Sequence, residues 1–462
     1  MREIIREHPD YAGKVAVTKK YRDLYTGGEQ LRANAAEYLV RRHKEAPDVY
    51  AERLNRVFYE NYAGSIIDWY AATLFRREPV VIIEGRNEAG RRFFNNFSED
   101  CDLKGTCLSD FFRRQLIDML ISGASYFVVD FPRAKMPAAN RAEEEARGTS
   151  RAYLVEYGPE QIINWSVDER GTFEWVVIRT EHLRKARVED DHWLTETRWT
   201  YYDKEHFRVY RKIEGGGIKS EPELIDSGYH GLAKSRMVPV FEIKVSDGLW
   251  LMNKAGSLQM EHFNKSNALA WAITMGLFAM PVIYSEREWN QVVGESYYVQ
   301  LGPDDRFGWT EPEGHVYRLA AENLTRLKEE IYRVCYLLSQ AGPVSSSLQQ
   351  SGLSKLRDFA ITQEVLRSYG DVIKDAMKRA LRAIESIRED ELEIDISGLD
   401  DFDIGDFGSE LADAGQLLGL GIQSSTLRRQ ICKKLAFKYL CDVRQETKDR
   451  IAQEIDTWCE EE

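Results

Sequence analysis

Few side chains in this 462-residue sequence stand in arrangements that perform reactions. The densest group of metal-type donors is His182 and His192 with Glu181, Glu189, Asp190 and Asp191. Its spacing follows no tetrahedral ligand scheme, so a solvated polar loop is expected and no metal or other cofactor is called for. Ser122-Gly123-Ala124-Ser125 suggests a nucleophile turn, but it lacks the Gly-x-Ser-x-Gly frame and reads as a helix-to-strand junction. Neither Gly-x-x-x-x-Gly-Lys-Ser/Thr nor Gly-x-Gly-x-x-Gly occurs, so the common phosphate cradles are missing. Cys101, Cys107, Cys335, Cys432, Cys441 and Cys459 include no Cys-x-x-Cys pair and read as reduced thiols. These residues point away from an enzyme.

The chemistry that is present is electrostatic and mechanical. With 63 Lys+Arg against 76 Asp+Glu the net charge is −13, which excludes proteins that wrap nucleic acid by bulk positive charge. The charge is uneven. Residues 326–388 carry 11 basic and 7 acidic side chains, whereas 389–413 carry 11 acidic and no basic ones. Inside the first stretch lies Val344–Gly352 (VSSSLQQSG), which has little to pack. Its Ser345, Ser346, Ser347, Gln349 and Gln350 offer weak hydrogen-bond partners that read no sequence.

The elements that must position these residues follow from periodicity. Apolar residues 43% of the total and a length fit for two to four domains predict a folded chain with ample core. Tyr50, Leu54, Val57, Phe58, Tyr62, Ile66, Trp69 and Tyr70 predict one apolar helix face within a helical stretch over residues 1–75. Pro79 ends it before a short strand, Val80–Ile83. Further strands are expected at Ser125–Phe131, Tyr153–Tyr157, Glu174–Arg179 and Val238–Val245, with a hairpin of Trp199–Asp203 and Phe207–Ile213. Helices are expected over Lys254–Met280, Ala320–Ala341 and Ser354–Arg388. Ala268–Ile283 is too short to span a bilayer, and Met1–Asp10 lacks the apolar core of a secretory signal, so a cytosolic product without membrane contact is expected.

In order and spacing the chain resembles the portal proteins of tailed bacteriophages, the rings through which DNA enters and leaves the capsid. Three blocks carry the resemblance. The first is Tyr21-Arg22-Asp23 with Gly27-Gly28 and Glu37-Tyr38-Leu39, followed by Tyr50 through Asn61 and Leu74 through Pro79. The second is Gly123 through Pro132 with Tyr157 through Trp165. The third is the succession of helix, small β-containing insert, helix, loop and long helix. The resemblance implies an α+β fold with a helical N-terminal region (1–75), a mixed α/β wing (76–250), paired stem helices (251–281 and 319–341) around a β-containing clip (282–318), a tunnel loop (342–353), a long tunnel helix (354–388) and an acidic, then helical crown (389–462). It implies a twelve-subunit ring at one capsid vertex that passes double-stranded DNA during packaging and ejection. The implied partners are the terminase packaging motor, neck or adaptor proteins and the major capsid protein. The implied location is the virion, after assembly in the host cytoplasm. Ser345, Ser346, Ser347, Gln349, Gln350, Lys355 and Arg357 would then face DNA, and Arg287, Glu288, Asp304, Asp305 and Arg306 would dock the motor or adaptor. The alternatives are a cytosolic α+β enzyme, which no motif supplies, and a helical scaffold or adaptor.

Overall fold

The structure, a computed structural model, describes residues 3–132, 151–185, 192–215, 218–277, 280–285, 303–304, 306–310, 314–337, 352–400, 407–420, 424–440 and 443–461. The chain opens with helices α1 (Tyr11–Thr26), α2 (Gly28–Ala33), α3 (Ala35–Tyr38), α4 (Pro47–Asn55) and α5 (Tyr62–Leu74). Strand β1 (Val80–Glu84) leads into α6 (Glu88–Glu99), α7 (Leu108–Ser122) and β2 (Ala124–Asp130). Strands β3 (Tyr153–Tyr157), β4 (Ile162–Val167), β5 (Phe173–Arg184), β6 (Leu194–Asp203), β7 (His206–Gly215), β8 (Ile218–Lys219), β9 (Glu223–Tyr229) and β10 (Val240–Lys244) follow. Then come α8 (Leu251–Leu277), β11 (Met280–Tyr284), β12 (Arg306–Thr310), α9 (Gly314–Val334) and α10 (Gly352–Arg388). Strand β13 (Glu393–Ser397) and helices α11 (Phe407–Gly419), α12 (Ser425–Tyr439) and α13 (Gln445–Glu461) complete a mixed α+β fold. The chain divides into two compact units, Met1–Arg22 with Ile66–Asn253 and Leu356–Glu462, and Asp23–Ser65 with Lys254–Lys355.

In the first unit an antiparallel sheet runs β4-β5-β6-β7-β8, with β9 also on β7. Alternation along its strands separates two apolar faces. Val176, Ile178, Tyr202 and Val209 join one core with Tyr126, Val128 and Val240, while Val177, Ile163 and Trp199 pack on the opposite face with Tyr11. The expected hairpin is β6–β7, and Asp203 shapes its turn by accepting from the backbone N–H groups of Glu205 (2.8 Å) and His206 (2.6 Å). A second sheet, β10-β2-β3, packs on α7, whose Phe111, Phe112, Leu116, Met119 and Leu120 are buried. The Ser122–Ser125 junction is what the sequence predicts. Gly123 closes α7 in the left-handed region (φ 83°), its N–H on the Met119 carbonyl at 2.8 Å, and β2 starts at the next residue.

The long helix α10 buries Leu366, Tyr369, Ile373, Met377, Ala380, Leu381 and Ile384 along one stripe. At 37 residues and 1.5 Å each it is about 55 Å long. It ends at Glu389 (φ 56°), and β13 then pairs antiparallel with β1 from Val80↔Ser397 to Glu84↔Glu393. That pairing lies inside the stretch the sequence reads only as acidic. The alternation of Ile394 and Ile396 inward with Glu393 and Asp395 outward is its cause.

One expected element is divided. The run from Tyr50 to Tyr70 forms α4 and α5 rather than a single helix face. Asn61 breaks it, because its Oδ1 caps α5 by accepting from the Gly64 N–H (2.8 Å) while its Nδ2 donates to the Tyr25 carbonyl (2.7 Å).

Candidate functional site

In the second unit α8 carries a buried stripe that is polar. Gln259, His262, Ser266 and Asn267 recur at helical spacing and are all buried, with Phe263 among them. A buried amide must find partners for both its donor and its acceptor. Gln259 accepts from the Ala63 N–H (3.1 Å) and donates to the Glu60 carbonyl (2.8 Å). Asn267 takes both backbone groups of Phe58, at 3.2 and 2.9 Å. Asn264 accepts from the Val40 N–H (2.8 Å) and donates to the Tyr38 carbonyl (3.1 Å). Three amides thus do for two irregular stretches, at Tyr38–Val40 and Phe58–Ala63, what a neighbouring β-strand would do.

His262 sits beside Tyr62 (ring centroids 5.1 Å, edge-on), with Glu60 Oε2 at 3.4 Å. Burial pushes its pKa below the usual imidazole value, against the pull of Glu60 and with that of Lys328. The Lys328 ammonium lies 5.5 Å from the Tyr62 ring centre, and the Tyr332 ring centre lies 6.3 Å from that of Tyr62. Burial beside Glu60 raises the Tyr62 hydroxyl to about 12.

Helices α8 and α9 run antiparallel. Tyr317 OH donates to the Ala272 carbonyl (3.2 Å), Lys265 reaches Asn323 (3.0 Å), and Lys254 stands over the Tyr336 ring at 4.3 Å and bonds its hydroxyl. Between them β11 and β12 form a two-stranded ladder from Met280↔Thr310 to Tyr284↔Arg306. Pro281, which cannot donate, is tolerated there because among the described residues each strand of the pair is an edge strand.

The blocks that carry the sequence resemblance prove to be scaffold. Asp23, fully buried, accepts from Gln30 (2.7 Å), Asn34 (2.9 Å) and Tyr38 OH (2.6 Å), locking α2 and α3. Gly27 (φ 59°) starts that turn, and a Cβ there would lie 2.9 Å from the Tyr59 ring. In the other unit Arg22 bridges Asp118 (2.8 Å) and Glu160 (3.1 Å), and Gly158 leaves room for it.

The residues read from the sequence as DNA-facing are only partly described. Ser345, Ser346, Ser347, Gln349 and Gln350 lie outside the described residues, and Lys355 and Arg357 fall in the first turns of α10. Arg287, Glu288 and Asp305 also lie outside them. Asp304 is exposed in a turn, and Arg306 is exposed at the start of β12. Glu181 and His182 lie on β5, with His182 opposite Glu196 on β6, whereas Glu189, Asp190 and Asp191 lie outside the described residues. Among the described residues no group of three His, Cys, Asp or Glu is placed to hold a metal, and no helix is long and apolar enough to cross a membrane.

The two charge blocks, adjacent in sequence, partly cancel in space. Lys374 pairs with Asp400 (3.0 Å), Lys378 with Asp395 (2.5 Å) and Arg388 with Asp390 (2.7 Å). The last pair is buried, its guanidinium 3.6 Å from the Phe93 ring centre. The described part of the acidic stretch up to Asp400 therefore folds back onto α10 instead of standing apart from it. The polar stripe of α8 and this folding-back are the features that sequence reasoning passes over. The helical spacing of Gln259, His262, Ser266 and Asn267 is a signal that would have found the first.

No family model and no curated protein matches the sequence. Among solved structures, the chain is similar to one from the neck of an empty GTA particle computed with C6 symmetry, at 12% identity and TM-score 0.45, covering 80% of this chain and 90% of that one. It is also similar to a chain from the virion of a native gene transfer agent particle (12% identity, TM-score 0.42, 90% and 98% covered) and to one from the neck of the native particle computed with C12 symmetry (12%, 0.38, 87% and 99%).

Proposed function

We propose that this chain is the subunit of a portal-type ring, a non-enzymatic conduit for double-stranded DNA at a capsid vertex. The observation that carries the reading is the helix–ladder–helix hairpin of α8, β11, β12 and α9, followed in the chain by the long α10. That order is what the sequence resemblance calls for. In this reading α8 and α9 are the stem, the segment around β11 and β12 is the clip that docks the terminase motor and later the neck proteins, and Val344–Gly352 is the tunnel loop. Twelve copies would close the ring.

A conduit must hold duplex DNA without gripping it, since each neutralised phosphate adds affinity and so friction. Hydroxyl and amide groups at Ser345, Ser346, Ser347, Gln349 and Gln350 suit that requirement. Lys355 and Arg357 would form a shallow positive band when repeated around a ring. The test is deletion of Val344–Gly352. Rings should still assemble while packaging or retention of DNA falls, and unaltered packaging would remove the loop from the account.

A further inference from the structure

Arg41, Arg42, His43 and Lys44 are consecutive and all exposed. They lie between α3 and α4 in the second unit, in a loop fastened from within at both ends. On one side Asn264 holds the Val40 N–H and the Tyr38 carbonyl. On the other the Arg53 guanidinium clamps the Glu45 carboxylate at 2.8 and 2.9 Å, the two side chains being 5% and 3% exposed. Glu45 also accepts from the Arg42 N–H (3.1 Å), and its own N–H closes a turn onto the Arg42 carbonyl (3.2 Å). Arg41 donates to the Glu45 carbonyl (2.7 Å), and Lys44 takes a left-handed φ of 62°. A buried ion pair therefore fixes the shape of a loop that exposes three cationic side chains, Arg41, Arg42 and Lys44.

Several exposed basic groups of the molecule sit on acidic neighbours, such as Lys265 on Glu261, Arg318 on Glu322 and Arg367 on Glu364. Arg41, Arg42 and Lys44 form no ion pair among the described residues. We propose that Arg41–Lys44 is a contact site for the phosphate backbone of duplex DNA, read without regard to sequence. Backbone contacts to nucleic acid need charged donors in a fixed register and little else. An acidic protein partner needs an apolar anchor as well, and Val40 is the large exposed aliphatic residue next to the loop among the described residues. The inference goes beyond the ring reading and does not depend on it, because a phosphate-binding loop acts in a single chain as in a ring.

The test is fluorescence anisotropy of a labelled mixed-sequence duplex with the purified full chain, titrated across about 50 to 200 mM salt. Arg41→Ala/Arg42→Ala/Lys44→Ala should weaken binding by about tenfold or more at low salt and lower the salt slope by about 2 to 3. Arg42→Glu/Lys44→Glu, which leaves the Arg41 bond to Glu45 intact, should do the same with an unchanged melting temperature. A control of equal charge, Arg113→Ala/Arg236→Ala/Lys265→Ala, should bind as the parent does. Parental affinity and slope in both loop variants would overturn the proposal, as would equal loss in the control. A parent that ignores DNA but captures a peptide of residues 389–413 through this loop would also overturn it, assigning the loop to a second copy of the chain. Because no arm requires ring assembly, failure here is distinct from failure of the conduit reading.

Discussion

At the scale of single residues, the second unit depends on side chains that satisfy backbone. Removing one amide of the α8 stripe leaves a backbone N–H and a backbone C=O without their partner together, the Ala63 N–H among them buried. Asn267→Ala or Gln259→Ala should therefore cost about 1–3 kcal/mol in urea unfolding, whereas truncating the exposed Arg318, half of a surface pair, should change stability by less than about 0.5 kcal/mol. His262 adds a pH dependence whose sign is fixed. Its folded-state pKa lies below the ordinary value of 6.5, so the unfolded chain takes up the proton first. Stability should be full above about pH 6.5 and fall as the pH drops from there toward the folded pKa. His262→Asn should flatten that part of the profile in melting curves at pH 5 to 8. His230, likewise depressed by burial, would keep a second, independent share.

At the scale of elements, close approach of backbones sets the tolerances. Gly370 of α10 lies against the Leu399 carbonyl beyond β13, so a Cβ there would collide with backbone rather than with a movable side chain. Gly370→Ala should destabilise by about 1–3 kcal/mol despite its gain in helix propensity, and thermal unfolding would reveal it. Arg388→Ala, at the end of the same helix, leaves the Asp390 carboxylate buried and should cost about 3–5 kcal/mol. Much of this layer was legible beforehand. Strand β3, the β6–β7 hairpin, the junction at Gly123 and the helices α8 and α10 announce themselves through period and turn residues, whereas α9 runs Gly314–Val334, starting and ending six to seven residues before the expected Ala320–Ala341. What escaped did so for physical reasons. The Tyr50–Tyr70 face keeps a helical beat across a break made by the cap at Asn61, which periodicity does not register. Strand β13 hides because its outward residues are acidic, and only pairing with β1 makes its two isoleucines a core. The scaffold role of Arg22 was also invisible, since its partners Asp118 and Glu160 lie 96 and 138 positions away.

For the whole molecule, the charge of −13 takes on a different meaning once the chain is folded. Part of the acidic block is occupied in neutralising α10, so the helix is less of a positive band than its sequence suggests. A conduit reading is compatible with that, because DNA that must slide is served by weak contacts. The order of the elements around the candidate site was legible in the sequence, whereas the Ser/Gln stretch read as DNA-facing lies outside the described residues. The central claim concerns assembly, and native mass spectrometry with negative-stain imaging of the purified full chain tests it most directly. The account predicts closed rings of about twelve subunits with a central channel wide enough for duplex DNA. A monomer or dimer under assembly-permissive conditions, with no channelled particle in any image class, would contradict it.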